Sequence, residues 1–390
     1  MPSPSPILTS HPGAVPTPEG DPSPGVAWHY GDPLGEQRAA TRRAAIVDRS
    51  DRAVIELSGD ERLTWLHTIS TQHLTGLADR RSAENLSLDG NGRIEDHFVL
   101  TDIDGTTWVD TESSRGESLA DFLTKMVFWA KVTPAARPDM AVLTLLGPDV
   151  LSGPIAEAIG LAADATVYQA GDLPELRHDD EPLGFWRVMP SLGDRGTTPV
   201  VDLVVPESDV RAWWKLIVDA GAAPAGMWTY EALRVAAMRP RLHLDTDERT
   251  IPHEVDWIGG PDEGGAVHLD KGCYRGQETV ARVANLGRPP RRLVLLHLDG
   301  SSAYRPTTGD DVNAGGRKIG RLGTVVDHFE NGLIALALVK RNVPVDTELV
   351  VGAPDSPDDA ATARIDPDLY TPDDQVQPGR AAVDRLRGRG

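Results

Sequence analysis

The chain has 390 residues and one cysteine, Cys273, within the stretch HLDKGCYRGQETVAR (268–282). Only a thiolate is a good nucleophile or metal ligand, and nearby cations favour it. Lys271 and Arg275 flank Cys273 at i−2 and i+2. On a helix such residues do not face one another; on an extended segment they share a face. Gly272 and Gly276 disfavour a helix here, each costing up to about 1 kcal/mol relative to alanine. An extended or looped Lys-Gly-Cys-Tyr-Arg-Gly would set two cations beside the thiol and lower its pKa. The plainer alternative is a small buried hydrophobe, although a core strand is seldom so charged and glycine-flanked. His268 is a candidate base, with a solvated surface histidine as the plainer account.

A single cysteine excludes an intramolecular disulfide, a zinc site built of several thiolates, and an iron–sulfur cluster held by this chain alone. No resident metal is expected. The formal net charge is −20, and so large a negative field repels phosphates. Direct nucleic-acid binding and association with anionic membranes are therefore not expected. No apolar run approaches the roughly 20 residues a spanning helix needs. The opening MPSPSPILTSHPGAVPTPEGDPSPG lacks the cationic and apolar regions of a secretory signal. A reducing cytoplasm is the expected location.

The elements that would position the thiol are mixed. AVIEL (53–57) reads as a strand, followed by a helix that Asp60 would cap. LSLDGNGRIEDHFVL (86–100) reads as two strands around a tight turn at Asp89-Gly90-Asn91-Gly92. Leu119, Phe122, Leu123, Met126 and Val127 fall on one helical face. Strands at AVLTLLG (141–147) and VVDLVVP (200–206) precede a helix carrying Val210, Trp213, Trp214, Ile217 and Val218, with Gly221 past its end. Thr229 would cap a helix YEALRVAAM that Pro240 closes, and from Arg291 onward short strands alternate with turns, as in a small all-β domain. The Pro-rich first 26 residues and the Asp/Pro-rich segment 354–390 read as solvated tails, the second with a short helix in AAVDRLRGR.

KGCYRGQETVAR resembles the K-G-C-Y-x-G-Q-E signature of the YgfZ-type folate-binding proteins, relatives of the glycine-cleavage T-protein, the tetrahydrofolate-dependent aminomethyltransferase. The match runs through Lys271, Gly272, Cys273, Tyr274, Gly276, Gln277 and Glu278, with Arg282 following. IPHEVDWI (251–258), containing Glu254, resembles the segment that precedes the signature, and GRPPRRL (287–293) the one that follows it. The resemblance spans residues 45–350 and is strongest over 226–293.

It implies an α+β, T-protein-like fold of three domains around a central cleft. The first, folate-binding domain would be discontinuous (27–140 and 225–287), interrupted by a ferredoxin-like domain (141–224) and followed by a C-terminal β-barrel (288–353). The YgfZ branch supports iron–sulfur cluster assembly or repair, notably for radical enzymes that modify tRNA. The resemblance thus implies tetrahydrofolate or a derivative as ligand, iron–sulfur biogenesis proteins or client enzymes as partners, and Cys273 with Lys271 as the acting residues. The transferase relatives set an aspartate against the folate's reacting nitrogen. The matching segment here offers Glu95 and Asp96, of which only one can enter the cleft; Asp96 is the choice. A pterin-reading glutamate of the transferases is matched here by Thr198, a departure that weighs against their reaction.

Trp228 and Tyr230 are candidates to stack on a pterin. Arg52, Arg234, Arg291 and Arg292 are candidates for its carboxylates, Arg234 sharing a helix face with Tyr230. With Glu254, Tyr274, Gln277, Glu278 and Arg282 these complete the expected ligand-binding set. Each has a plainer account in core packing or solvated surface. The alternative function is a tetrahydrofolate-dependent aminomethyltransferase or demethylase, which requires a full set of cleft carboxylates and little from a cysteine.

Overall fold

The computed structural model describes residues 4–176, 184–353 and 357–369. The N-terminal part comprises α1 (Pro6–Ser10), β1 (Val15–Pro16), β2 (Ala27–His29), α2 (Pro33–Arg42), β3 (Ala45–Asp48), β4 (Ala53–Ser58), α3 (Arg62–Ile69), β5 (Arg81–Leu88), β6 (Ile94–Ile103), β7 (Thr106–Thr111), α4 (Ser113–Lys125) and β8 (Thr133–Ala136). The middle comprises β9 (Met140–Leu146), α5 (Gly153–Ile159), β10 (Ala170–Asp172), β11 (Phe185–Leu192), β12 (Thr198–Pro206), α6 (Val210–Asp219), β13 (Ala223–Ala225), α7 (Met227–Ala236) and α8 (Gln277–Leu286). The C-terminal strands are β14 (Arg291–Leu298), β15 (Asp311–Ala314), β16 (Arg317–His328), β17 (Gly332–Lys340), β18 (Leu349–Gly352) and β19 (Ala360–Ile365).

Among the described residues a two-stranded sheet (β1-β2), two larger sheets and a barrel result. The first larger sheet runs β5-β6-β7-β4-β8, the second β10-β11-β12-β9-β3-β13, and β14-β17-β16-β15-β18-β19 close into a barrel. The hairpin between β5 and β6 forms where the Asp-Gly-Asn-Gly turn predicts. The Asp89 carboxylate accepts the N–H groups of Asn91 and Arg93, both at 2.8 Å, and Gly92 takes the left-handed φ of +76°. Helix α6 buries Val210, Trp213, Trp214 and Ile217 against the second sheet, and Gly221 follows it at φ +114°.

Several expectations need correction. The strand β3 (45–48) crosses the boundary drawn at 140, pairing with β9 and β13 in the second sheet. The N-terminal 26 residues are not a solvated tail where described. Ser5 caps α1, its hydroxyl also donates to Asp48, and Ile7 is buried in the second sheet's core. A few apolar side chains placed against a preformed sheet suffice to order a segment whose composition alone does not. Likewise Ala360–Ile365 is β19, the strand that closes the barrel against β14 and β18. The helix expected in AAVDRLRGR lies outside the described residues. Helix α3 starts at Arg62 with no side-chain cap from Asp60. Helix α7 starts after Gly226, not Thr229; the Gly226 N–H donates to Glu36 of α2 at 3.0 Å, so the cap comes from another helix.

Candidate functional site

The period of two along β6 decides what enters the centre of the molecule. His97 and Val99 point to one face with Glu84 of β5 and Asp110 of β7, their register partners or near neighbours. Asp96 and Phe98 point to the other face, Phe98 into the core beneath α3 and α4. The first face lines an inner cavity of about 80 Å³, closed by β11, β12, α7 and the segment after it.

That cavity is lined by carboxylates and six arginines, five of which are bound to carboxylates. Asp110 accepts from Arg52 Nε at 2.5 Å and from Arg187 Nη1 at 2.6 Å. Arg187 Nη2 donates to Asp202 at 2.9 Å. Glu112 is shared by Arg52, at 3.1 Å, and Arg241. Arg234 is fixed by Glu231, at 2.5 Å, and Asp245, at 2.7 Å. Burial pushes the carboxylate pKa values of Asp110 and Glu112 up, but the guanidinium fields outweigh it and hold both well below the usual range.

Glu84 is the hub nearest the sheet. Its carboxylate accepts from Tyr168 Oη at 2.8 Å, pairs with Arg239, and lies 2.9 Å from His97 Nε2. Against burial, Arg239 and His97 bring its pKa down to about 2. The His97 ring stacks on Trp257, with centroids 4.5 Å apart and planes 4° from parallel. Trp257, Arg239 and Pro240 form a shared wall with a second cavity of about 550 Å³ toward the barrel. That cavity carries His253, neither of whose ring nitrogens has a hydrogen-bond partner among the described residues. Burial pushes His253 down to about 4, so its imidazole is neutral near pH 7, with one donor and one acceptor to offer.

The cysteine loop lies apart from both cavities. Residues 268–276 form no regular element, as their glycines predict. Gly276 takes φ +83° because the β5–β6 turn crosses it: a Cβ there would stand 2.6 Å from the Asp89 carbonyl oxygen and 2.8 Å from Gly92 Cα. Cys273 is exposed. The two flanking cations are committed elsewhere. Lys271 turns inward, its Nζ donating to the carbonyl oxygens of His67, Ser70 (2.5 Å) and Gln72 (3.3 Å) at the end of α3. Burial pushes its pKa down to about 8. Arg275 pairs with Glu95 at 2.8 Å. The expectation that both cations flank the thiol on one face is therefore corrected: Lys271 and Tyr274, three apart, turn inward, while Cys273 and Arg275 are exposed.

The remaining expected residues divide. Tyr230 and Arg234 do line the inner cavity, one helical turn apart. Asp96 does not. It accepts from Ser87 at 2.7 Å and from Arg115 at 2.7 Å, and faces a separate cavity of about 430 Å³ with Phe122 and His243. Trp228 lies outside the cleft, stacked on Trp28 and donating to the Asp327 carbonyl oxygen at 3.3 Å. Glu254 borders the second cavity, but both its oxygens accept from Arg291, at 2.9 and 2.8 Å. Arg52 and Arg291 are thus engaged by carboxylates of the chain itself, and Arg292 donates to the Val343 carbonyl oxygen at 2.5 Å. Tyr274 is buried beside Lys271, whose Nζ sits 5.1 Å from its ring centre. Gln277, Glu278 and Arg282 lie on α8, the last two exposed. Thr198 is buried on the face of β12 that carries Val200 and Asp202 toward the inner cavity.

Glu84, His97, Arg187, Arg239, Arg241 and Trp257 went unremarked in the sequence. Their one local signal is polarity in strand-like or proline-marked surroundings, as in AENLSL and MRPRLHLD. Among the described residues, no group of three or more His, Cys, Asp or Glu side chains is placed to hold a metal ion, and no helix is long and apolar enough to cross a membrane.

No family model matches the chain. Over 283 residues it is 25% identical to a putative chloroplastic transferase of Arabidopsis thaliana, covering 71% of this chain and 60% of that protein. Over 244 residues it is 26% identical to an aminomethyltransferase of Stenotrophomonas maltophilia, covering 60% and 64%. The crystal structure of the glycine-cleavage aminomethyltransferase T of Bartonella henselae superposes with a TM-score of 0.75 at 17% identity, over 92% of this chain and 94% of that one. The chain is similar in sequence to aminomethyltransferases and has the fold of the glycine-cleavage T-protein. Its α+β fold with a closed six-stranded barrel is that of the T-protein. The aligned region spans only 60% to 64% of these two curated relatives. Within the T-protein fold, the paired cavities occupy the junction of the two sheets, α7 and the barrel.

Proposed function

We propose that this T-protein-like chain binds a tetrahydrofolate-type ligand in its two central cavities and supports iron–sulfur cluster assembly or repair through Cys273. The observation that carries the reading is the presentation of the thiol. A lone cysteine is held outward on a loop pinned from below by Lys271 and from the side by Gly276. The loop is well fixed, yet the side chain it exposes adds nothing to the core, as befits a group that acts on something else. An exposed thiol can transiently ligate iron, or take the outer sulfur of a partner's persulfide with the partner's thiol as the leaving group. It cannot build a cluster alone, so a biogenesis partner or a client enzyme, with tRNA-modifying radical enzymes as one class, belongs to the proposal.

The ligand half rests on the cavities. The larger one falls in the range of small-molecule pockets, with the Trp257 ring and the neutral His253 imidazole among its walls. The names of the relatives favour a second reading, aminomethyl or related one-carbon transfer. Against it, the cleft carboxylates Asp110, Asp202 and Glu112 are all bound to arginines, and Thr198 stands where the resemblance implies a glutamate.

The test has two parts. Tetrahydrofolate is titrated into the full chain with tryptophan fluorescence as readout; no saturable change overturns both folate readings. A Cys273→Ala strain is then assayed for cluster-dependent enzymes. Reduced activity supports the thiol's role, and wild-type activity removes Cys273 from the mechanism.

A further inference from the structure

Six arginines line the inner cavity, and five of them are tied into ion pairs. The sixth, Arg49, is different. It is only 4% exposed, and its side chain makes no hydrogen bond or ion pair among the described residues. Its Nε is buried without a partner. The guanidinium carbon sits over the Tyr230 ring, 3.9 Å from its centre, a contact that uses none of its N–H donors and leaves them for an acceptor.

The acids near it do not answer those donors. Glu112 feels the Arg49 charge, but its oxygens are held by Arg52 and Arg241. Asp48 accepts from Ser5 and Ser50. Asp51 is buried with both oxygens unbonded among the described residues, so it does not reach Arg49 either. A buried guanidinium without a hydrogen-bonded anion is costly, and in a cavity wall the missing anion is supplied by whatever occupies the cavity.

We propose that Arg49 is the anion-binding residue of the inner cavity and that the anion is a carboxylate. About 80 Å³ is room for a few waters or one small planar group. A carboxylate matches the fork geometry of guanidinium. A phosphate, larger and doubly charged, would crowd Asp110, Glu112 and Asp202 in the same walls. The carboxylate comes from one of two sources: the end of the folate-type ligand, which rests on the reading above, or a separate small carboxylic acid, which does not.

The experiment titrates 5-formyltetrahydrofolate, 6-methylpterin (which has no carboxylate) and sodium acetate into the full chain and its Arg49→Met and Arg49→Lys variants. We expect Arg49→Met to weaken a carboxylate-bearing probe at least about tenfold and Arg49→Lys to weaken it less, with 6-methylpterin unaffected. Loss confined to 5-formyltetrahydrofolate assigns the carboxylate to the folate; loss of acetate binding assigns it to a separate acid. Acetate binding without any folate binding sinks the folate reading and keeps this one. Undiminished carboxylate binding in Arg49→Met, or none in the wild type, overturns it. Without ligand, Arg49→Met should melt at or above the wild-type temperature, because it removes an unmatched buried charge. A melting point several degrees lower marks Arg49 as structural and also overturns the proposal.

Discussion

Lys271 and Cys273 stand two residues apart and face opposite ways: the lysine is buried beneath the loop and the cysteine is exposed above it. The lysine of the motif is therefore a structural anchor, spending its ammonium on three carbonyl oxygens near the end of α3. Lys271→Met leaves those acceptors unpaired and should cost about 2–4 kcal/mol. Cys273→Ala should change stability by less than about 0.5 kcal/mol. Urea unfolding of both variants checks the contrast; equal losses would show that the thiol, too, is structural.

The same pair shows what a sequence can and cannot convey. That 268–276 is a loop follows from Gly272 and Gly276, since glycine acts locally. That Lys271 points inward depends on carbonyls some 200 positions earlier in the chain, which no local pattern reports. Helix α6 and the β5–β6 hairpin were legible because a period and a turn specify them. The last barrel strand was not, because ATARI reads as a strand only once β14 and β18 offer it edges. The cleft arginines were legible as a residue type but not as partners: Arg52 and Arg234 looked available for a ligand until Asp110, Glu112, Glu231 and Asp245 were found holding them.

Asp96 and His97 are adjacent, and the strand sends them to opposite sides. Asp96→Asn should weaken the contact to Arg115 and cost about 1–2 kcal/mol of stability, while leaving ligand affinity in the central cavities within about twofold of wild type. Trp257→Phe trims the ring that stacks on His97 and walls both cavities, and should weaken ligand binding by roughly 2–10-fold. Fluorescence titration of tetrahydrofolate ranks the two. A large affinity loss from Asp96→Asn alone would put the ligand in the cavity beneath α4 instead.

Acid should loosen the cleft through Glu84. Its pKa is about 2 in the folded chain, against an ordinary 4.5. The unfolded chain therefore binds more protons between those values, and stability falls as pH drops from about 4.5 toward 2. The share carried by Glu84 is about 3 kcal/mol. In Glu84→Gln that share is absent at every pH. Its urea-derived stability should decline less steeply across this interval, while the full difference from wild type is seen above pH 4.5. Parallel acid profiles for the two proteins would show that Arg239 and His97 do not stabilise the Glu84 carboxylate as described.

Gly276 couples the cysteine loop to the β5–β6 turn. Its φ of +83° is one that other L-residues adopt at a cost, and a Cβ would meet the Asp89 carbonyl oxygen at 2.6 Å and the Gly92 backbone within 3.0 Å. These neighbours are main chain, so they cannot rotate aside. Gly276→Ala should therefore destabilise by about 2–4 kcal/mol. Gly272 differs: nothing lies within 4 Å of the position its Cβ would take. Gly272→Ala should cost under about 1 kcal/mol. If Gly272→Ala nonetheless reduces cluster-dependent enzyme activity in cells while the protein stays folded, the glycine beside Cys273 serves a partner's approach to the thiol and not the fold.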